Sequence, residues 1–354
     1  MGQEAWYNRN MAIYDAIKNF NKQFEYEPKI ENESNWKKFD KFVVAGMGGS
    51  NLTAGLVKIC QPEIQILNHK DYGLPDLLDE EWSRTLVIAS SYSGNTEETL
   101  DAYEEAGRRG FARVAISIGG KLLELAKKDG VPYVQMPDTG IQPRSALGYS
   151  FKGMLKLMGE EGALKEVSEL AYTFKPEEWE KEGQNLAQKL KGKIPIIYSS
   201  WRNFPIAYSW KIKFNETAKI PAFHNFFPEL NHTEMTGFDP VRALTAAPGQ
   251  PISNGTSSLE ERKKLNSLLH FIFLKDKDDH PRIQKRMDVT EKMYKARGLP
   301  VEILGLHGEN VFYKIFSSLI LVDWASYYLG ENYGVETEQV PMVETFKGLL
   351  QNKS

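Results

Sequence analysis

The chain of 354 residues contains a single cysteine, Cys60. One thiol excludes a disulfide framework and a cysteine-rich metal site, and it suits a reducing compartment. In its apolar surroundings Cys60 reads as a small core residue. An excess of either charge is also missing, because 44 basic and 47 acidic side chains leave a net charge of −3. That balance implies no broad basic face for nucleic acid or acidic membranes. Long hydrophobic runs are scarce. The nearest, NVFYKIFSSLILVDWASYYLG, is interrupted by Lys314 and Asp323 and is rich in serine. It predicts a buried helix and not a membrane span. The opening residues, MGQEAWYNRNM, lack the apolar core of a secretion signal. These absences predict a soluble cytoplasmic protein, with chain enough for two domains.

What is present is a rhythm of short apolar runs alternating with helical stretches. Ile13, Ile17, Phe20 and Phe24 recur at helical spacing, which predicts an N-terminal amphipathic helix. KFVVAGMGGSNLTAGLVKIC then reads as strand, Gly-rich turn, helix. The alternation from Glu63 to Asn68 is a second strand, and TLVIASSYSGNTEETL is a third strand with its turn and helix. ARVAISIGG, KLLELAKKDG and VPYVQMP continue the pattern. A charge-rich helical stretch, Lys152 to Lys193, follows. The rhythm then restarts with KIPIIYSS, RNFPIAYSWKIKFNETAK, IPAFHNFFPEL, SLLHFIFLKD, PRIQKRMDVTEKMYKARG and PVEILGL, and VPMVETFKGLLQNK is a closing helix opened by Pro341. Such alternation predicts an α/β fold with two mainly parallel sheets covered by helices. The expected order is a helical segment (1–35), a first α/β domain (36–155), a helical connector (156–190), a second α/β domain (191–330) and a helical tail (331–354).

The turn SSYSGNTEET, Ser90 to Thr99, carries the strongest chemical signal. A helix beginning just after a strand presents free backbone N–H groups and the positive end of its dipole to the turn. Ser91, Ser93 and Thr96 add three hydroxyls, and Gly94 lets the backbone come close to a ligand. Together they fit a phosphate without any lysine or arginine. The competing reading is an ordinary helix cap by Asn95 or Thr96.

Gly46-Met47-Gly48-Gly49-Ser50 also follows a strand and opens a helix, so dinucleotide binding has to be weighed. That fingerprint needs a third glycine, where this chain has Asn51, and an acid ending the second strand, where it has Asn68 and His69. A nicotinamide cofactor is therefore not expected. The turn remains suited to close backbone approach, and it would face the same crevice as SYSGNT. Arg144, in PRSALGYSF, precedes a predicted helix, where a guanidinium could offset a developing oxyanion. Glu216 lies sixteen residues before His232. A carboxylate suits abstraction of a carbon-bound proton beside a carbonyl, and an imidazole suits proton movement between oxygens. His224, among aromatics, reads as a core or rim residue. His232 and Glu234 as metal ligands would need further convergent partners, and the remaining histidines are scattered, so no metal is expected.

These residues together resemble a known family. SYSGNTEET preceded by GMGGS resembles the sugar isomerase (SIS) domain. Combined with PRSALGYSF, NETAKIPAFHNFFPELNHTE and VPMVETFK, the chain from Lys41 to Lys347 is similar to the bifunctional phosphoglucose/phosphomannose isomerases. That resemblance implies two SIS-type domains with the site in their cleft, a sugar-phosphate substrate, no cofactor, and a homodimer whose partner supplies the histidine. Ser91, Ser93 and Thr96 match the phosphate-binding residues, with Gly48, Gly49 and Ser50 lining the pocket. Glu216 matches the base that moves a proton between C1 and C2 through a cis-enediol(ate), and Arg144 the residue that stabilises it. His232 and Lys347 match the pair that opens and closes the sugar ring. NLTAGL after GMGGS, the length of the Gly192–Lys285 stretch and ETEQVP before Lys347 depart from the family pattern. A non-catalytic sugar-phosphate sensor would keep the hydroxyl turn but not Glu216, Arg144 and His232 together. An isomerase of another sugar phosphate is the second alternative.

Overall fold

The computed structural model describes residues 13–239 and 256–351. The first twelve residues of the expected N-terminal helix, residues 240–255 of the Gly192–Lys285 stretch, and the last three residues lie outside them. The chain packs as two compact units. One is Met1–Glu180 with Gly308–Ile320 and Glu336–Ser354, and the other is Lys181–His307 with Leu321–Val335.

The first unit holds β1 (Lys41–Ala45), α1 (Gly48–Cys60), β2 (Gln65–His69), β3 (Thr85–Ser90), α2 (Glu97–Arg108), β4 (Arg113–Ser117), α3 (Gly120–Asp129), β5 (Tyr133–Gln135) and α4 (Leu147–Met158). Its strands run parallel in the order β2-β1-β3-β4-β5. Every residue of β3, TLVIAS, is buried, as a central strand covered on both faces requires. β1 lies against both β2 and β3, in register Ala45 with Ala89. The chain leaves β1 toward one side for β2 and returns on the other side at β3. The turns after β1 and β3 therefore diverge, and a crevice opens at the carboxyl ends of these two strands.

The N-terminal periodicity is borne out by burial of Ile13, Ile17, Phe20 and Phe24. Phe24 meets Phe316 edge to face with ring centres 4.8 Å apart, and Phe316 meets Phe151 at 5.4 Å. Gln23 fastens the same segment to α4, donating to the Ser145 carbonyl at 2.7 Å and accepting from the Gly148 amide at 2.9 Å. Residues 152–158, which open the charge-rich stretch of the sequence, form the second half of α4 and are mostly buried. Even Lys152 is buried, its ammonium donating to the Phe24 carbonyl. Cys60 ends α1 half-buried, less enclosed than its apolar context suggests.

The second unit holds β6 (Ile194–Ser200), α5 (Phe204–Glu216), β7 (Phe223–Phe227), α6 (Leu230–Thr233), β8 (Leu269–Asp276), α7 (Pro281–Lys295) and β9 (Val301–Leu306). The strands are again parallel, in the order β7-β6-β8-β9. Tyr198, Phe227, Leu230, Phe271, Phe273, Met287 and Tyr294 form its core. The run read as a buried helix is α8 (Val311–Tyr333), and Pro341 opens α9 (Pro341–Gln351). No helix among the described residues is long and apolar enough to cross a membrane.

One of the charges that interrupt α8 is used internally. Asp323 accepts from the Lys213 ammonium of α5 at 2.5 Å, with both side chains buried. A buried ion pair stabilises little against a well-packed apolar pair, but losing one partner strands a charge. Asp323→Leu is expected to cost about 3–5 kcal/mol. The double variant Lys213→Met/Asp323→Leu should recover most of that loss, as read from urea denaturation midpoints of parent, single and double variants.

Candidate active site

The turn after β3 is built around the Ser91 hydroxyl, which is fully buried. It accepts from the Gly94 amide at 3.1 Å and the Thr96 amide at 3.4 Å, and it shares a hydrogen bond with the Thr96 hydroxyl at 2.8 Å. Gly94 has φ +72°, and a Cβ there would lie 1.9 Å from the Gly119 carbonyl oxygen, so no other residue fits. Gly120, at φ +69°, backs the turn in the same way, since its Cβ would stand 2.4 Å from the Ser93 carbonyl. The Leu122 amide donates to the Gly94 carbonyl at 2.9 Å, and the Lys121 amide donates to Asn95 Oδ1 at 3.1 Å.

Both candidate caps for α2 are therefore engaged elsewhere. Asn95 serves the Ser93 carbonyl and Lys121, Thr96 turns to Ser91, and no side chain caps the helix. The ordinary-cap reading fails for this physical reason. The first-turn amides of α2 keep their need for an acceptor and face the turn with the positive end of the helix dipole. Ser93 is exposed and Thr96 half-buried at this end.

The Gly-rich turn after β1 lies alongside. Gly48, at φ +50°, begins α1, which likewise has no side-chain cap. The Ser50 hydroxyl accepts from the Tyr92 amide at 2.9 Å, and the Ser90 hydroxyl donates to the Ser50 carbonyl at 3.1 Å. A Cβ on Gly49 would press to 3.1 Å on the Pro143 carbonyl carbon and 3.2 Å on the Arg144 amide nitrogen. Gly48, Gly49, Ser50, Ser91, Ser93, Thr96 and the Arg144 backbone thus form one neighbourhood at the carboxyl ends of β1 and β3. Burial raises the Tyr92 phenol beside it to about 12, so it stays protonated. A separate cavity of about 210 Å³, lined by Leu86, Phe111, Arg113 and Val131, lies at the opposite, N-terminal ends of β3 and β4. Parallel sheets bind ligands at the carboxyl ends.

Arg144 is not a surface arginine. It is 1% exposed, in the short Pro143–Ser145 turn before α4, and one guanidinium nitrogen donates to the Thr337 carbonyl at 2.8 Å and the Glu338 carbonyl at 2.6 Å. It therefore ties down the segment from which α9 starts. Lys347, on α9, is exposed and paired with Glu344 at 2.8 Å.

In the second unit Glu216 is the last residue of α5 and half-buried, and its carbonyl accepts from the Lys219 ammonium. Its charge is felt by Tyr208 on the same helix, whose phenol is raised first by burial and then by Glu216. His224 stacks on Tyr208, with ring centres 5.1 Å apart, and lies 4.7 Å from Phe204, as an aromatic rim residue. His232 is exposed on α6. Glu234, weighed above as a metal ligand, has both carboxylate oxygens taken by the Tyr198 hydroxyl and the Asn225 amide. Among the described residues no group of three or more His, Cys, Asp or Glu is arranged to hold a metal ion.

The chain has recognisable relatives. Residues 179–350 match the bacterial phospho-glucose isomerase C-terminal SIS domain. A bifunctional phosphoglucose/phosphomannose isomerase of Caldicellulosiruptor bescii is 34% identical over 96% of this chain and 98% of its own. The chain belongs to that family. An Aquifex aeolicus member is 31% identical over 96% of this chain and 98% of its own. The fold is shared with a candidate phosphosugar isomerase of Clostridium difficile 630, at a TM-score of 0.65 and 16% identity over 99% of this chain and 98% of that one.

For this phosphoglucose/phosphomannose isomerase family member, the residues singled out in sequence fall into two sets. The first unit assembles the two turns and Arg144, and it also carries Lys347. The second holds Glu216 and His232. Sequence reasoning missed the backing of the turn by Gly119 and Gly120, and the anchoring of Arg144 by residues 337–338. The glycine pair ending ARVAISIGG was the available signal for the first. No local signal pointed to the second.

Ser93→Ala/Thr96→Ala removes hydroxyls at the open end of the turn and leaves Ser91 to hold it. Steady-state kinetics should show KM for a hexose 6-phosphate rising roughly tenfold or more, the scale of hydrogen bonds to a charged group, with turnover also lowered. Unchanged kinetics would place the phosphate elsewhere.

Proposed function

We propose that the chain is a cytoplasmic homodimeric aldose–ketose isomerase. It interconverts glucose 6-phosphate and mannose 6-phosphate with fructose 6-phosphate through a cis-enediol(ate). The observation that supports this most directly is the pair of helices, α1 and α2, that begin without side-chain caps beside hydroxyl- and glycine-rich turns at the carboxyl ends of β1 and β3. Such N-termini hold a dianionic phosphate through backbone amides, and the hydroxyls of Ser93 and Thr96 complete its coordination.

In this reading the phosphate is an anchor remote from the reacting carbons. Its binding energy positions C1 and C2 for chemistry that would otherwise require a rare encounter. Gly48, Gly49 and Ser50 allow the sugar phosphate to approach the main chain, and Ser91 holds the turn in shape. His232, supplied by the second copy of the chain, and Lys347 move protons on the ring oxygen and O1 so that the pyranose opens. Glu216 then removes the C2 proton of the open aldose and returns it to C1 of the enediol(ate) to give the ketose. The positive charge of Arg144, held in a site sheltered from water, offsets the negative charge that develops on the enediolate oxygen. The reaction moves protons between carbons and oxygens of one molecule, so it consumes no second substrate.

Glu216→Gln is the direct test. The amide keeps the shape of the side chain but cannot accept the C2 proton. The variant should bind fructose 6-phosphate with near-parental affinity by calorimetry and lose isomerisation by at least about a hundredfold in a coupled assay. Near-parental turnover would remove Glu216 as the base. A panel of glucose, mannose and shorter-chain sugar phosphates, run on the parent, separates this activity from isomerisation of another sugar phosphate and from non-catalytic binding.

A further inference from the structure

His232 sits on an element too short to hold itself. α6 has four residues, far below the length at which a helix persists unaided. The side chain is exposed, so no packing of the imidazole fixes its direction. The flanking residues do that instead. Leu230 is fully buried in the core of the second unit. Asn231 donates to the Thr290 hydroxyl at 2.9 Å and accepts from the Arg286 guanidinium at 3.2 Å, both on α7. Glu234, two residues beyond His232, accepts on one oxygen from the Tyr198 hydroxyl of β6 and on the other from the Asn225 amide of β7.

We propose that Glu234, clamped by Tyr198 and Asn225, is a positioning residue that fixes the main chain of His232 for proton transfer at the sugar ring oxygen. The proposal rests on the isomerase reading and extends it to a residue that touches no substrate. Tyr198 is enclosed by Phe227, Phe271 and Phe273, with ring centres 6.0, 5.6 and 5.4 Å away. Its hydroxyl therefore has a single place to be. Burial, with Tyr294 and Glu234 beside it, raises the phenol far above its ordinary range, so it remains a donor to the carboxylate. Asn225 is oriented in turn by accepting from the Phe226 amide at 2.8 Å. The amides of His232 and Glu234 donate to the Glu229 and Leu230 carbonyls at 2.9 and 3.0 Å, which transmits the fixed position of Glu234 through one helical turn to His232.

Attachment alone would not call for a carboxylate here. Leu230, Met235 and Phe238 already pack this stretch on the core, and apolar contact is the less costly way to hold a surface segment. A carboxylate gripped on both oxygens adds direction, which a proton-transferring imidazole needs to within about half an ångström.

The test is a double-mutant cycle read on ring opening itself, as the rate of α-to-β anomerisation of glucose 6-phosphate followed by magnetisation-exchange NMR. His232→Asn, Glu234→Gln, Tyr198→Phe and the double variant His232→Asn/Glu234→Gln are compared with the parent, with melting temperatures recorded for each. Val301→Ala, in the same core but on β9, two strands away from the Tyr198 strand β6, perturbs packing away from the clamp and serves as the packing control. Glu234→Gln and Tyr198→Phe should each slow anomerisation by about tenfold to a hundredfold, the scale of a small misplacement of a catalytic group, with KM within about twofold of the parent. Glu234→Gln should add nothing in the His232→Asn background, and Val301→Ala should melt lower yet anomerise at the parental rate. Parental anomerisation in Glu234→Gln, or an equal loss with and without His232, would overturn the proposal while leaving the isomerase reading intact. Parental anomerisation in His232→Asn would overturn both this proposal and the role of His232.

Discussion

A single buried hydroxyl, that of Ser91, organises the first unit's turn. It accepts from two backbone amides and engages the Thr96 hydroxyl, so the residue placed to cap α2 is drawn back into the turn. The consequence is electrostatic. A capped helix has spent part of its N-terminal potential, whereas α2 keeps it for a ligand. The glycines follow from the same constraint, because a turn wound this tightly around Ser91 brings Gly94 against the Gly119 carbonyl and leaves no room for a Cβ.

Elsewhere the fold uses buried charge as a fastener between segments distant in sequence. Arg144 holds the carbonyls of residues 337 and 338, Lys152 holds the carbonyl of Phe24, and Lys213 meets Asp323. In the second unit Glu234 grips Tyr198 and Asn225. Taking these groups out of water is costly unless each is hydrogen-bonded, and apolar side chains could supply the cohesion. Directed hydrogen bonds add a defined position. Arg144 and Glu234 both hold a segment that carries a residue proposed for ring opening, Lys347 in the first case and His232 in the second.

Much of this could be read from the order of residues. β3 is legible because a strand buried on both faces must be a continuous apolar run, and TLVIAS is one. The hydroxyl turn is legible because serine, glycine and threonine between a strand and a helix have few other uses in that density. The mismatch with a dinucleotide fingerprint could be read from Asn51, Asn68 and His69 standing where a glycine and an acid would be needed. The burial of Lys152, at the head of the charge-rich stretch, was not legible. Its ammonium reaches the Phe24 carbonyl inside the unit, and no pattern near Lys152 announces that partner. Cys60 departed in the other direction, half-buried at the end of α1 despite its apolar neighbours.

The sequence by itself therefore determined the α/β class, the strand-turn-helix placement of the two glycine-rich turns and the chemical types available to the site. Those properties depend on periodicity and on neighbours a few residues away. Only the tertiary structure decided that Thr96 leaves α2 uncapped, that Arg144 is buried on the carbonyls of residues 337 and 338, and that Glu234 anchors the turn bearing His232. Each of these is a choice among hydrogen-bond partners. That choice is made by whichever donor or acceptor the folded chain brings within about 3 Å, over separations that sequence spacing does not encode.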